Sequence, residues 1–97
     1  MKIKILSSAL DDLHKGRLFY ERQGEGVGEY FFDTVFADID SLALYAGIHL
    51  QTFGYHRMLA KRFPFAIYYK MENLQKVTVY RVLDLRQHPR KTQHALT

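Results

Sequence analysis

The chain opens on a period-2 alternation, Lys2 and Lys4 against Ile3 and Ile5, which predicts a short strand with one apolar face. The period then lengthens. Leu10, Leu13, Leu18 and Tyr20 give a helix an apolar side, imperfectly spaced and interrupted by Gly16. Ser7-Ser8 offers its N-cap, with Asp11 three residues after Ser8 in a capping-box-like arrangement and Asp12 beside it; Gly24 and Gly26 end it. A second helix starts at Val27, where Phe31, Val35, Ile39, Leu42 and Tyr45 form the stripe of a helix lying on a sheet. Asp33, Asp38 and Asp40 fall mostly off that stripe, and Gly47 supplies the stop. His49 to Phe53 reads as a connector. Three strands follow: a basic run from Gly54 to Lys61, an aromatic-aliphatic run from Ala66 to Met71 and a β-branched run from Val77 to Leu85. The turns between them are Arg62-Phe63-Pro64-Phe65 and Glu72-Asn73-Leu74-Gln75.

The order strand, helix, helix, strand, strand, strand predicts an α+β domain over residues 1–97. A helix hairpin covers one face of a small, twisted, four-stranded antiparallel sheet. Short turns make the last three strands a meander, and the first strand joins beside the last after a crossover through the helices. The other face is left for a partner. The polar tail from Arg90 is expected to fray.

Charge changes this picture more than composition does. The first fifty residues hold five basic and eight acidic side chains, a net −3. The remainder holds nine basic residues opposed only by Glu72 and Asp84, a net +7. Such segregation points to an anionic partner, either nucleic acid or an acidic protein. With no cysteine, disulfide scaffolds, thiolate nucleophiles and Cys-based zinc sites are excluded. The five histidines lack H-x-x-H or H-E-x-x-H spacing, so no metal is expected, and no motif calls for a cofactor. No apolar run approaches a membrane span, and a cytoplasmic location without membrane contact is expected.

Several stretches taken together resemble the RelE/ParE superfamily, the basic toxins of bacterial type II toxin–antitoxin modules. They are Ala9-Leu10-Asp11-Asp12-Leu13 with Phe19-Tyr20-Glu21, Gly54-Tyr55-His56-Arg57, Lys61-Arg62-Phe63-Pro64-Phe65-Ala66-Ile67-Tyr68-Tyr69, and Val79-Tyr80-Arg81-Val82-Leu83-Asp84-Leu85-Arg86-Gln87-His88-Pro89. The resemblance implies two helices packed on a twisted sheet and a cognate antitoxin forming a hetero-oligomer with the toxin. It implies either a ParE-like poison of DNA gyrase or a RelE-like endonuclease cutting mRNA on the ribosome. The ParE-like branch is favoured, because Ala66 stands about where RelE-type toxins carry an arginine. Asp84 and Gln87 likewise replace the His and second Arg of the Val-Leu-His-x-Arg-Arg-x-Pro pattern. A third reading is a non-toxic binding module or decayed toxin.

Metal-free RNA cleavage needs a proton acceptor, a proton donor and cations for the developing phosphorane charge. For a nuclease the candidates are Arg57, Arg81, Arg86 and His88; for target or nucleic-acid binding they are Arg57, Lys61, Arg62 and Arg86. His56 is a second candidate for proton transfer. Tyr68, Tyr69 and Tyr80 are either base-stacking residues or core. Arg81 interrupts a β-branched strand, so it either faces the binding side or has a buried acidic partner on a helix.

Overall fold

The computed structural model describes residues 1–97. Its strands are β1 (Lys2–Ile5), β2 (Gln51–Thr52), β3 (Tyr55–Leu59), β4 (Phe65–Asn73) and β5 (Lys76–Asp84). Its helices are α1 (Ser7–Glu21), α2 (Val27–Asp40), α3 (Leu42–Tyr45) and α4 (Pro89–Leu96). The sheet has five strands in the order β1-β5-β4-β3-β2. β1 lies beside β5 as expected, but parallel to it, with Lys2 to Ile5 in register with Lys76 to Val79. A strand that reaches its neighbour through a helical crossover arrives in the same direction, so the sheet is mixed. The fifth strand comes from the expected connector. Phe53 and Gly54 both take positive φ, 54° and 83°, and this tight turn folds Gln51–Thr52 back onto Tyr55 and His56.

α1 and α2 cover one face. The buried stripe of α1 is Ala9, Asp12, Leu13, Gly16 and Tyr20, and that of α2 is Gly28, Phe31, Val35, Asp38 and Ile39. Both hold the 3–4 spacing that the apolar residues alone blurred, because each includes an aspartate and a glycine. The glycines set the approach of the two helices. A Cβ on Gly16 would lie 2.4 Å from the Phe31 ring, and one on Gly28 would lie 2.5 Å from the Arg17 carbonyl oxygen. Ser8 does not cap α1. Leu6 is the N-cap and the Ser8 hydroxyl donates instead to the Tyr80 carbonyl at 2.7 Å.

The second face is partly closed by α4, which replaces the expected frayed tail. His88 caps it, its Nδ1 accepting from the Arg90 amide at 3.1 Å, and Pro89 follows at the first helical position. Leu96 packs with Ala66, Tyr68 and Leu83, and the Tyr55 hydroxyl donates to the Leu96 carbonyl at 3.0 Å. Burying one leucine supplies about 1.5–3 kcal/mol, enough to hold a two-turn helix that has no core of its own.

Candidate functional site

The sequence places nine basic residues in the second half, and the fold sorts them by whether a carboxylate reaches them. Arg81 and Arg86 are in ion pairs; Arg57, Lys61, Arg62, Lys70, Lys76, Arg90 and Lys91 have no carboxylate within 4.0 Å.

Arg81 sits where β5 loses its neighbour. β1 ends at Ile5, so the outer edge of β5 beyond Val79 would carry unpaired backbone groups. Side chains of α1 take over there. Ser8 serves Tyr80 as described, and Asp12 Oδ2 accepts from the Val82 N–H at 2.9 Å. A bulge aims Arg81 at the same carboxylate: Tyr68 pairs with Arg81 and Tyr69 with Val79, leaving Tyr80 as the extra residue. The guanidinium then makes a bidentate pair with Asp12 at 2.8 and 2.9 Å and donates to the Ala95 carbonyl on α4 at 3.3 Å. Of the two readings open for Arg81, the geometry fits the buried helix acid, and one residue clips together α1, β5 and α4.

Arg86 is held differently. Asp84 accepts from its Nε and Nη2 at 2.9 and 2.7 Å, the Tyr20 hydroxyl accepts at 3.2 Å, and the guanidinium lies over the Phe19 ring. The hydrogen bond from Arg86 pulls the Asp84 pKa down, while burial pushes Tyr20 up. The side chain of Arg86 stays 52% exposed, so this ion pair contributes on the order of 0–1 kcal/mol and orients more than it stabilises.

Arg57, Tyr68 and Arg81 are directly opposite one another on β3, β4 and β5. Arg57 Nε donates to the Tyr68 hydroxyl at 3.3 Å. Lys61 and Arg62 are exposed in the turn after β3, whose Phe63 ring packs on Tyr20, Phe31 and Tyr30. His88 is committed as the cap of α4. Tyr68 and Tyr69 are buried, while Tyr80 is half-buried edge-on to Tyr55, with Lys70 Nζ over both rings at 4.5 and 5.6 Å. Ala66 is fully buried beneath Leu96.

Two groups escaped the sequence reading. α4 brings Arg90, Lys91 and His94 beside Arg81 around an open hollow of about 540 Å³; His88-Pro89 was the available signal for a helix start. The other is a histidine–tyrosine knot. The buried Tyr69 hydroxyl accepts from the Gly47 amide at 2.9 Å and is bonded to His49 Nδ1, and His56 Nδ1 donates to the His49 carbonyl at 2.6 Å. Nothing in the spacing of His49, His56 and Tyr69 announces this cluster, since it depends on β2 folding back.

The knot carries a pH prediction. Burial, and then the charge of His56, lower the His49 pKa below its ordinary 6.5, so folding favours the neutral ring. The unfolded chain takes up this proton first as pH falls. His49 therefore contributes stability that is full above pH 6.5 and declines as pH drops below it toward the lowered folded value. Urea midpoints at pH 7.5 and 5.5 should differ by less in His49→Gln than in the unsubstituted chain; equal differences would remove His49 from the account.

An open, mixed α+β sheet with a helix hairpin on one face is a RelE/ParE-like fold. A solved structure of the chromosomal ParDE TA system from P. aeruginosa contains a chain with this architecture. The superposition has a TM-score of 0.74, covers 89% of this chain and 97% of that one, and pairs residues that are 16% identical. At that identity the likeness establishes the fold. No protein-family model matches the sequence, and no curated protein does. No helix is long and apolar enough to cross a membrane.

Proposed function

We propose that this chain is the toxin of a type II toxin–antitoxin pair, neutralised by a cognate antitoxin, and that it arrests growth by ParE-like protein contact with DNA gyrase. The observation that carries the choice of mechanism is the commitment of three of the four nuclease candidates to other work. Arg81 is bonded to Asp12, Arg86 to Asp84, and His88 to the start of α4. A nuclease needs free cations and a mobile proton carrier converging on one phosphate. The buried Ala66 supports the same reading, since no cation reaches the open face from that position. The free cations, Arg57, Lys61 and Arg62, then serve as contact residues.

A RelE-like endonuclease is the second reading. It is favoured by the Arg57–Tyr68–Arg81 row and by Arg90, Lys91 and His94 standing over the same face. Inducing the chain without antitoxin and pulse-labelling DNA, RNA and protein synthesis separates the two. Early loss of DNA synthesis, with inhibition of supercoiling by purified gyrase, is expected. Early loss of protein synthesis with cleaved ribosome-bound message would overturn the gyrase reading in favour of the nuclease. Uninterrupted growth with folded chain present would overturn both and leave a binding module.

A further inference from the structure

The charges of α4 are placed against the helix that carries them. A helix favours anions in its first turn and cations in its last, because its amides leave a partial positive charge at the N-terminal end. Here Pro89 is followed by Arg90 and Lys91, and the first turn holds no acid. No carboxylate lies within 4.0 Å of either cation, so nothing in the fold offsets the cost. His94 stands four residues after Arg90 and three after Lys91, which brings all three to one side of the helix. Like charges at that spacing repel one another.

These side chains do not scatter into solvent. With Arg81 from β5 and Ala95 they surround the hollow of about 540 Å³ between α4 and the sheet. Arg81 is its fixed point. Of the five N–H groups on its guanidinium, three are spent on Asp12 and on the Ala95 carbonyl, and the pair with Asp12 holds the plane of the group in place. The side chain stays 27% exposed, so its remaining N–H groups are within reach of a ligand. Arg90, Lys91 and His94 are exposed and supply the uncompensated charge.

We propose that this hollow is a phosphate-binding site for a chain of phosphates, a phosphodiester backbone or a free oligophosphate, gripped by Arg90, Lys91 and His94 against the fixed guanidinium of Arg81. A bound anion would remove two costs together, the repulsion among the cations and their conflict with the helix end. The planar donors of arginine match phosphate oxygens in pairs. An acidic protein segment fits less well, because Ala95 is the one apolar residue of the lining and leaves no pocket for side chains between the charges. The inference stands on the placement of charge alone and needs neither reading of the target.

A short fluorescein-labelled oligothymidylate is the probe, chosen for its plain backbone, and a polyglutamate peptide of equal charge is the counter-probe. Fluorescence anisotropy should show the oligonucleotide binding at least about tenfold more tightly than the peptide. Arg90→Glu combined with Lys91→Glu should weaken it by about tenfold or more, and should flatten the slope of log affinity against log salt by about 1.4, the share of two phosphate contacts on a single strand. Melting of α4 cannot mimic this result, since both substitutions put acids where the helix end favours them. Lys2→Glu, at the start of β5 where β1 pairs with Lys76, makes the same change in charge as either single substitution and should leave binding nearly unchanged. Unchanged binding in the double variant overturns the proposal. So does a loss in Lys2→Glu as large as in Arg90→Glu alone, which would reduce the site to net charge, or equal binding of the peptide, which would make the partner an acidic protein. Tripolyphosphate that displaces the probe at matched phosphate concentration upholds a site for free oligophosphate; displacement by unlabelled oligonucleotide alone upholds one for the backbone of nucleic acid.

Discussion

Asp12→Ala is expected to destabilise the chain by about 3–5 kcal/mol, a large share of the roughly 5–15 kcal/mol available to a domain of this size. Two losses combine. The Arg81 guanidinium forfeits both bidentate bonds with only part of its surface open to water, and the Val82 N–H is left buried without an acceptor. Asp12→Asn keeps one acceptor and should cost visibly less. Arg81→Met strands the carboxylate, but pairing it with Asp12→Leu should recover part of the loss, because matched apolar groups substitute for a buried ion pair better than half of the pair survives alone. Urea midpoints for the four variants test this, and near-equal midpoints for Asp12→Ala and the unsubstituted chain would show that the clip is dispensable. The result also bears on function. Loss of activity in Arg81→Met is expected to track loss of folded protein, whereas a residue that touches the target loses activity while still folded.

What made the sheet legible was repetition. Ile3 and Ile5, the β-branched run through Val77 and Val79, and the two turns each follow from local chemistry, and chain economy then sets β1 beside β5. The direction of β1 was implicit in the crossover but not in its own four residues. Elements that depend on a distant partner were hidden. β2 exists because Phe53 and Gly54 turn tightly enough to lay Gln51 against His56, and α4 persists because Leu96 finds a slot between Ala66, Tyr68 and Leu83. Viewed along the chain, Leu96 is one apolar residue in a polar tail.

The candidate cations were legible as a set and illegible as individuals. Composition separates the basic half from the acidic half, yet which arginines are free depends on Asp12, Asp84 and a one-residue bulge at Tyr80. Asp12 and Asp38 mislead for one reason. Polar residues on a helix are assigned to its solvent side, but each of these carboxylates lies on the buried stripe to cap a backbone amide of the sheet, Val82 or Lys61. Gly16 misleads in the opposite sense. It reads as a flaw in an apolar side, and it is the space into which Phe31 fits.

That fit yields the second large effect. Phe31 is fully buried, and its ring meets those of Tyr20, Phe63 and Phe65 at centroid distances of 4.9 to 5.1 Å. Phe31→Ala should cost about 3–5 kcal/mol, the range for deleting a core aromatic whose surroundings collapse only partly. Gly16→Ala should cost about 1–3 kcal/mol, because the new methyl arrives 2.4 Å from the ring and the ring is walled in behind. The informative quantity is their sum. With the ring removed, the methyl of Gly16→Ala enters the vacated space and gains the ordinary helix preference of alanine over glycine. The double variant should therefore be more stable than additivity allows, by about 1 kcal/mol or more, and no less stable than Phe31→Ala alone. Strict additivity in denaturant midpoints would mean that the α1–α2 contact relaxes freely, and that Gly16 is not what sets it. The same cycle reaches the functional surface through Phe63, which joins Phe31 to the turn bearing Lys61 and Arg62. Faster amide exchange across residues 61–64 in Phe31→Ala, reversed in part by Gly16→Ala, would tie the placement of those two cations to the packing beneath them.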